Sequence, residues 1–250
     1  MNGYRRLTGV AALVFLWTAT CLSPVAAHGQ TSTVKATVQV SPSHSHHGAP
    51  NNADVVVWLA PQNGENSRVA PVAEATGKRF FLRQKNKTFD PHLLVIPLGS
   101  QVEFPNKDPF FHNVFSLFDG KRFDLGLYES GTTRSLRFDR PGVSYLFCNI
   151  HSEMSAVIVA LDTPYYATSD REGNITIPNV PAGRYVLHVW KEGVPVATLK
   201  GLSKFVMVSG DSTSLGKMAV PGGPAFPMAH KNKYGRDYED PTPPGQIYEH

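Results

Sequence analysis

Residues 143–161, VSYLFCNIHSEMSAVIVAL, read as a strand (143–148), a short polar loop and a second strand (156–161). The same reading extends outward along the chain. Nearly every segment past residue 30 alternates with period two and stops at Gly, Pro, Asn or Asp, and none carries a helical stripe. Strands are expected at 34–40, 54–59, 79–85, 92–96, 101–104, 113–117, 133–138, 143–148 and 156–161, then at 165–168, 175–177, 184–190, 204–208 and 214–219. Short strands at this density, separated by turn residues, predict an all-β protein built from antiparallel β-sandwiches.

The loop inside the opening stretch holds Cys148, with a histidine three residues on and a methionine six residues on. What a lone thiol means depends on compartment. Arg5 and Arg6 precede an apolar run from Val10 to Leu22, short for a bilayer, and Val25-Ala26-Ala27 offers small residues for cleavage. Residues 1–27 are therefore expected to be a secretory signal peptide, placing the chain in the periplasm or outside the cell. A membrane anchor, a lipoprotein and a twin-arginine signal fit less well: Thr20 precedes Cys21, the arginine pair lacks its usual apolar followers, and no second apolar run occurs. Cleavage after Ala27 would remove Cys21 and leave Cys148 unpaired in an oxidising space. Such a sulfur is expected to be occupied. Arg5 and Arg6 also account for two of the 24 basic residues, against 20 acidic ones, so the remaining surface charge is ordinary. No basic block interleaved with aromatic residues points to nucleic acid.

A strand ending at Cys148 and followed by a tight loop lets His151 and Met154 turn back toward the sulfur. Thiolate, imidazole and thioether make a soft donor set that suits copper far better than magnesium, calcium or manganese. One more imidazole would complete a trigonal set, and FPNKDPFFHNVFS (104–116) supplies it at His112.

These residues resemble the cupredoxin family: Asn106 at a strand end, His112-Asn113-Val114, and Cys148-Asn-Ile-His151-Ser-Glu-Met154. The short gap from His151 to Met154 is similar to the ligand loop of amicyanins, and the block 78–162 resembles secreted proteins described as plastocyanin-like or methylamine-utilisation proteins. The resemblance implies a Greek-key β-sandwich with one type 1 copper ion. His112, Cys148 and His151 would be its equatorial ligands and Met154 its axial ligand. Asn113 would tie the two ligand loops together through its side chain. Glu153 is expected in solvent, since successive residues of an extended loop point opposite ways. His92 reads as a structural or surface residue. Phe104, Phe111, Phe115 and Phe147 would form an apolar surround that limits water access. Pro109, Phe110 and Ile150 would form an apolar docking patch around His151 for a redox partner, unless the phenylalanines belong to the core.

SDREGNITIPNVPAGRYVLHVW (169–190) resembles carboxypeptidase regulatory-like, or transthyretin-like, domains, which implies a second, smaller β-sandwich. Residues 163–220 alone provide few strands for it. TVKATVQV and ADVVVWLAP, within 32–62, look like its opening pair, which would make the cupredoxin block an insertion; the alternative gives those strands to the cupredoxin sheet. His188, Tyr185, Val189 and Trp190 read as packing, and a stabilising or partner-binding role is expected rather than catalysis. His44, His46 and His47 lie in a polar loop ill suited to a rigid metal site. Residues 221–250, with Met228 and His230, lack periodicity and are expected to be a flexible tail. The function expected is that of a one-electron carrier; a copper-handling protein is the alternative. An enzyme of the copper oxidase or nitrite reductase type would need a second copper site, for which His44-Ser-His46 is the sole His-x-His.

Overall fold

The computed structural model describes residues 31–41, 51–62, 78–117, 120–223 and 230–238. The expected signal segment 1–27, the loop histidines His44, His46 and His47, and Met228 lie outside the described residues. Among the described residues no helix is long and apolar enough to cross a membrane.

The chain opens with β1 (Thr31–Val40) and β2 (Val55–Pro61). Val34, Ala36, Val38 and Val40 of β1 are buried in alternation with exposed or half-buried neighbours, the signature of a strand with one face on a core. β1 runs antiparallel to β14 (Asn174–Pro181) and parallel to β17 (Ser212–Val220). β2 runs antiparallel to β13 (Tyr166–Thr168) and to β15 (Gly183–Lys191), which in turn pairs with β16 (Lys204–Val208). The sheets β14-β1-β17 and β13-β2-β15-β16 enclose one apolar core containing Val38, Leu59, Ile177, Tyr185 and Leu187.

Between β2 and β13 the described residues form ten more strands. These are β3 (Phe80–Phe81), β4 (Arg83–Lys85), β5 (Thr88–Asp90), β6 (Leu93–Pro97), β7 (Gln101–Pro105), β8 (His112–Ser116), β9 (Phe123–Tyr128), β10 (Thr133–Arg137), β11 (Gly142–Phe147) and β12 (Ser155–Leu161). A five-stranded sheet, β6-β12-β11-β8-β9, and a three-stranded sheet, β10-β7-β3, share a second core that includes Phe104, Leu146, Cys148, Met154 and Ile158; β4 and β5 form a hairpin.

β12 is buried at every position from Ala156 to Leu161, which explains a continuous apolar run where alternation would be ordinary. Ala156, Ile158 and Ala160 belong to the second core. Val157, Val159 and Leu161 point the other way and meet Val56, Trp190, Val194 and Leu199 in a third core, which joins the two sandwiches. The five-stranded sheet thus has an apolar core on each face.

Several features differ from expectation. The sheets are mixed rather than purely antiparallel, since β1 runs parallel to β17, β6 to β12 and β3 to β7, and β5 forms in the β4–β5 hairpin where no strand is expected. β9 forms where no strand is expected, because Gly126 at φ 69° and a bulge between Asn113 and Phe115 interrupt the alternation. A short helix, α1 (Val196–Gly201), follows Pro195 and buries only Leu199, so its sequence has no stripe to read. Residues 230–238, expected within a flexible tail, fold into a turn against the loop after β11, held there by hydrogen bonds.

Candidate metal centre

The site is assembled from two loops at one end of the second sandwich. The first runs from the end of β7 to the start of β8. Asn106, buried, organises it: Nδ2 donates to the Phe110 carbonyl at 2.7 Å and to the Tyr128 carbonyl at 3.3 Å, while Oδ1 accepts the Asp108 N–H at 3.0 Å. That turn presents Asp108 and His112 to each other. His112 Nε2 lies 2.8 Å from Asp108 Oδ2, both side chains being almost wholly buried. The same carboxylate accepts the backbone N–H groups of Asn86 (2.6 Å) and Lys87 (2.9 Å), the central pair of the β4–β5 turn. Both have positive φ, 55° and 54°, as a tight hairpin turn demands. Burial works against ionising Asp108, but the hydrogen bonds from Lys87, His112 and Asn86 outweigh it and hold its carboxyl below the usual carboxylate range. An ionised acceptor at Nε2 places the ring proton there and leaves the lone pair on Nδ1.

The second loop follows β11. Cys148 N–H donates to the Met154 carbonyl at 3.3 Å and Met154 N–H to the His151 carbonyl at 3.2 Å, so residues 148–154 close into a compact turn. Burial pushes the Cys148 thiol up, only partly offset by the N–H groups of Ile150, Asn113 and His151; burial, with His112 and Lys87 nearby, pushes the His151 imidazole down. A neutral ring and a buried thiol facing one another are donors ready for a cation that displaces the thiol proton.

His112 Nδ1, His151 Nδ1 and Cys148 Sγ form a triangle with sides of 3.1, 3.6 and 3.9 Å. The point in its plane equidistant from the three atoms lies about 2.1 Å from each, within the roughly 2.0–2.3 Å of bonds from a transition metal to imidazole and thiolate. Two nitrogens and a sulfur at that spacing suit a soft or borderline transition metal, copper among them, better than the hard cations. Met154 is fully buried in the same core as Cys148, whereas Glu153 is exposed. Phe110 lies over both imidazoles, its ring 5.2 Å from that of His112 and 5.6 Å from that of His151.

Several residues take other places than expected. Asn113 does not reach the cysteine loop with its side chain; Nδ2 donates to Asp124 of β9 at 2.7 Å, and it is the Asn113 backbone N–H that faces the Cys148 sulfur. Phe111 does not shield the site: it is 55% exposed, because the loop points Phe110 at the histidines and its neighbour away. Phe104 lies in the core with Cys148, but Phe115 and Phe147 pair with each other, ring centroids 5.9 Å apart, outside that core. Pro109, Phe110, Phe111 and Ile150 are all exposed. His92 is structural, bonded to Glu192 and to the Ser155 carbonyl. His188 stacks on Trp58 and bonds Ser203. Asp108 is the residue of this candidate site that sequence reasoning passes over; its one signal is a carboxylate four residues before a candidate ligand, in a loop opened by Asn106.

Comparison with known proteins adds the following. A model of the family described as polysaccharide lyase family 4, domain II, matches residues 156–215. That family description differs from the regulatory-like domain the sequence suggested, and the match extends from β12 into β17. Among curated proteins no sequence matches. Solved structures with partial overlap include a copper-containing nitrite reductase from Thermus scotoductus SA-01, 24% identical, covering 34% of this chain and 23% of that one at a TM-score of 0.33. A purple cupredoxin from Nitrosopumilus maritimus is 22% identical, covering 33% of this chain and 98% of that one at a TM-score of 0.30. An oxidised amicyanin variant is 18% identical, covering 36% and 88% at a TM-score of 0.32. Overlap of this extent leaves the chemistry to be read from the side chains themselves.

Proposed function

We propose that this chain binds one copper ion in a type 1 site and carries single electrons in the periplasm or outside the cell. The observation that carries the reading is the converging triangle of His112 Nδ1, His151 Nδ1 and Cys148 Sγ, with Met154 buried beside it. Copper bound to such donors supplies a one-electron couple whose ligand geometry serves both oxidation states. The residues do the rest. Asp108 holds the His112 ring, the turn 148–154 holds Cys148 and His151, and Phe110 keeps water from the imidazoles while His151 stays partly exposed as the place where an electron would leave. Phe110, Phe111 and Ile150 form the exposed apolar rim that a redox partner protein would meet. The sandwich made by β1, β2 and β13–β17 is read as a stabilising or partner-binding module. No catalytic activity, nucleic acid or membrane span of the processed chain forms part of the proposal, and the extracytoplasmic location rests on residues 1–27 together with the lone buried thiol.

A spectrum tests the reading. Copper-loaded, oxidised protein is expected to absorb strongly at roughly 600 nm through charge transfer from the Cys148 sulfur, and Cys148→Ser is expected to abolish the band. Stoichiometric copper without colour would reject the electron-carrier site and leave copper handling in its place.

A further inference from the structure

The segment 230–238 is a built element. Asn232 N–H donates to the Arg236 carbonyl at 2.9 Å, Asn232 Oδ1 accepts the N–H groups of Tyr234 (3.0 Å) and Arg236 (3.1 Å), and Gly235 takes φ 74° to let the chain turn. This turn is fastened to the loop that carries Cys148 and to the strand beside it. The Tyr238 hydroxyl donates to the Cys148 carbonyl at 2.5 Å. Lys233 N–H donates to Asn149 Oδ1 at 2.9 Å, and Lys233 Nζ reaches Asp124 at 2.8 Å, the carboxylate that also holds Asn113. The His230 ring lies on Phe147, centroids 4.1 Å apart, with Nδ1 3.1 Å from the Tyr238 oxygen. A phenol has one proton to give; with it committed to the Cys148 carbonyl, the phenol oxygen can accept from a His230 Nδ1–H, which the Lys231 carbonyl also faces at 3.2 Å.

The attachment falls where the sheet stops holding the chain. β11 ends at Phe147, so the Cys148 carbonyl lies just past the strand, and Tyr238 gives it a partner. A peptide held on that side cannot rotate freely, and rotation of this peptide is what would carry the sulfur away from the two imidazoles. The contacts also span the outer face of the five-stranded sheet at the ligand end, as the third core covers the same sheet farther down.

We propose that residues 230–238 are a clasp on the metal-binding loop, with Tyr238 a positioning residue that fixes the Cys148 peptide and so slows loop opening and metal exchange. The consequence for copper rests on the proposed function; the restraint on the loop does not.

Two readouts on the full-length chain separate them. In metal-free protein, Tyr238→Phe is expected to speed hydrogen exchange at the Cys148 and Met154 amides about fivefold, and Tyr238→Phe combined with Lys233→Ala about tenfold or more, while the Val57 and Leu187 amides of the other sandwich keep their rates. In copper-loaded protein the same variants are expected to surrender copper(I) to a chelator faster by a similar factor. Unchanged exchange at Cys148 and Met154 overturns the clasp whatever the colour of the protein. Faster exchange throughout the molecule also overturns it, since the segment would then be a general stabiliser. Faster loop exchange in a chain that forms no blue centre supports the clasp and rejects the copper reading alone.

Discussion

The two sandwiches are built from similar strands but bury different things. The core between β14-β1-β17 and β13-β2-β15-β16 is apolar throughout, and the buried polar side chains near it are small hydroxyls: Ser32, Thr163 and Ser169. The inserted sandwich buries Gln84, Asn106, Asp108, His112 and Asn113 as well, crowded toward one end. Burying such groups is unfavourable unless each finds a partner, and a sandwich of this size closes without them, as its neighbour demonstrates. Their presence at one end alone singles that end out, and the hydrogen bonds of Asp108 and Asn106 show what they hold in place: the His112 ring and the turn that leads into β8.

Removing one group from each region puts that contrast to work. Asp108→Ala strands the N–H groups of Asn86 and Lys87 together with His112 Nε2–H, and is expected to destabilise the fold by about 3–4 kcal/mol while weakening copper binding by roughly 10–100-fold. Leu59→Ala, in the apolar core, is expected to destabilise by about 2–3 kcal/mol and leave copper affinity unchanged. Urea titrations and chelator competition on both variants check this. Equal copper affinities for the two would mean that Asp108 serves the fold alone and that the buried polar cluster is no mark of function.

A smaller effect tests two adjacent residues of the 148–154 loop against each other. Met154→Gln is expected to keep a coloured protein, because His112, Cys148 and His151 remain, but to lower the reduction potential, since an oxygen donor favours Cu(II). Glu153→Gln is expected to leave colour and potential nearly unchanged, its side chain being in solvent and screened. Voltammetry decides: a larger shift for Glu153→Gln would remove Met154 from the proposed ligand set.

What the sequence revealed follows from how far apart the cooperating residues lie. Cys148, His151 and Met154 share one loop, and their spacing is visible without a fold; His112 enters through its own short motif. Asp108 was hidden because its role depends on the N–H groups of Asn86 and Lys87, which reach it only once the β4–β5 hairpin has formed. Phe110 and Phe111 are adjacent aromatic residues, and composition does not say which of them faces the imidazoles; the turn set by Asn106 does. β9 was lost to Gly126 and a bulge, and the turn at 230–238 to a Pro- and Gly-rich context in which Asn232, rather than an apolar pattern, carries the structure. The apolar and strictly local parts were legible. The polar, long-range parts were not.

The smallest predicted effect lies at the seam between the two regions. His92 precedes β6 in the inserted sandwich, and its Nε2 lies 2.8 Å from Glu192 Oε2 in the other, while Nδ1 lies 3.2 Å from the Ser155 carbonyl. Both neighbours are acceptors, so both ring nitrogens are best satisfied when protonated. The hydrogen bond to Glu192 raises the His92 pKa above its usual value despite partial burial working the other way. Because the folded state holds this proton more tightly than the unfolded chain, the pair stabilises in full below the unfolded value of about 6.5, so long as Glu192 is ionised, and the contribution fades as pH rises through the raised value. His92 is nearly half exposed, so solvent screens the pair and its contribution is small, about 0.2–1 kcal/mol. Wild type and His92→Gln, unfolded in urea between about pH 5.5 and 8.5, are expected to differ most at the acid end and to converge toward the alkaline end. A difference that stays constant across that range would mean that His92 acts at the seam through contacts that do not depend on its proton, and that the pair with Glu192 adds nothing that a proton can alter.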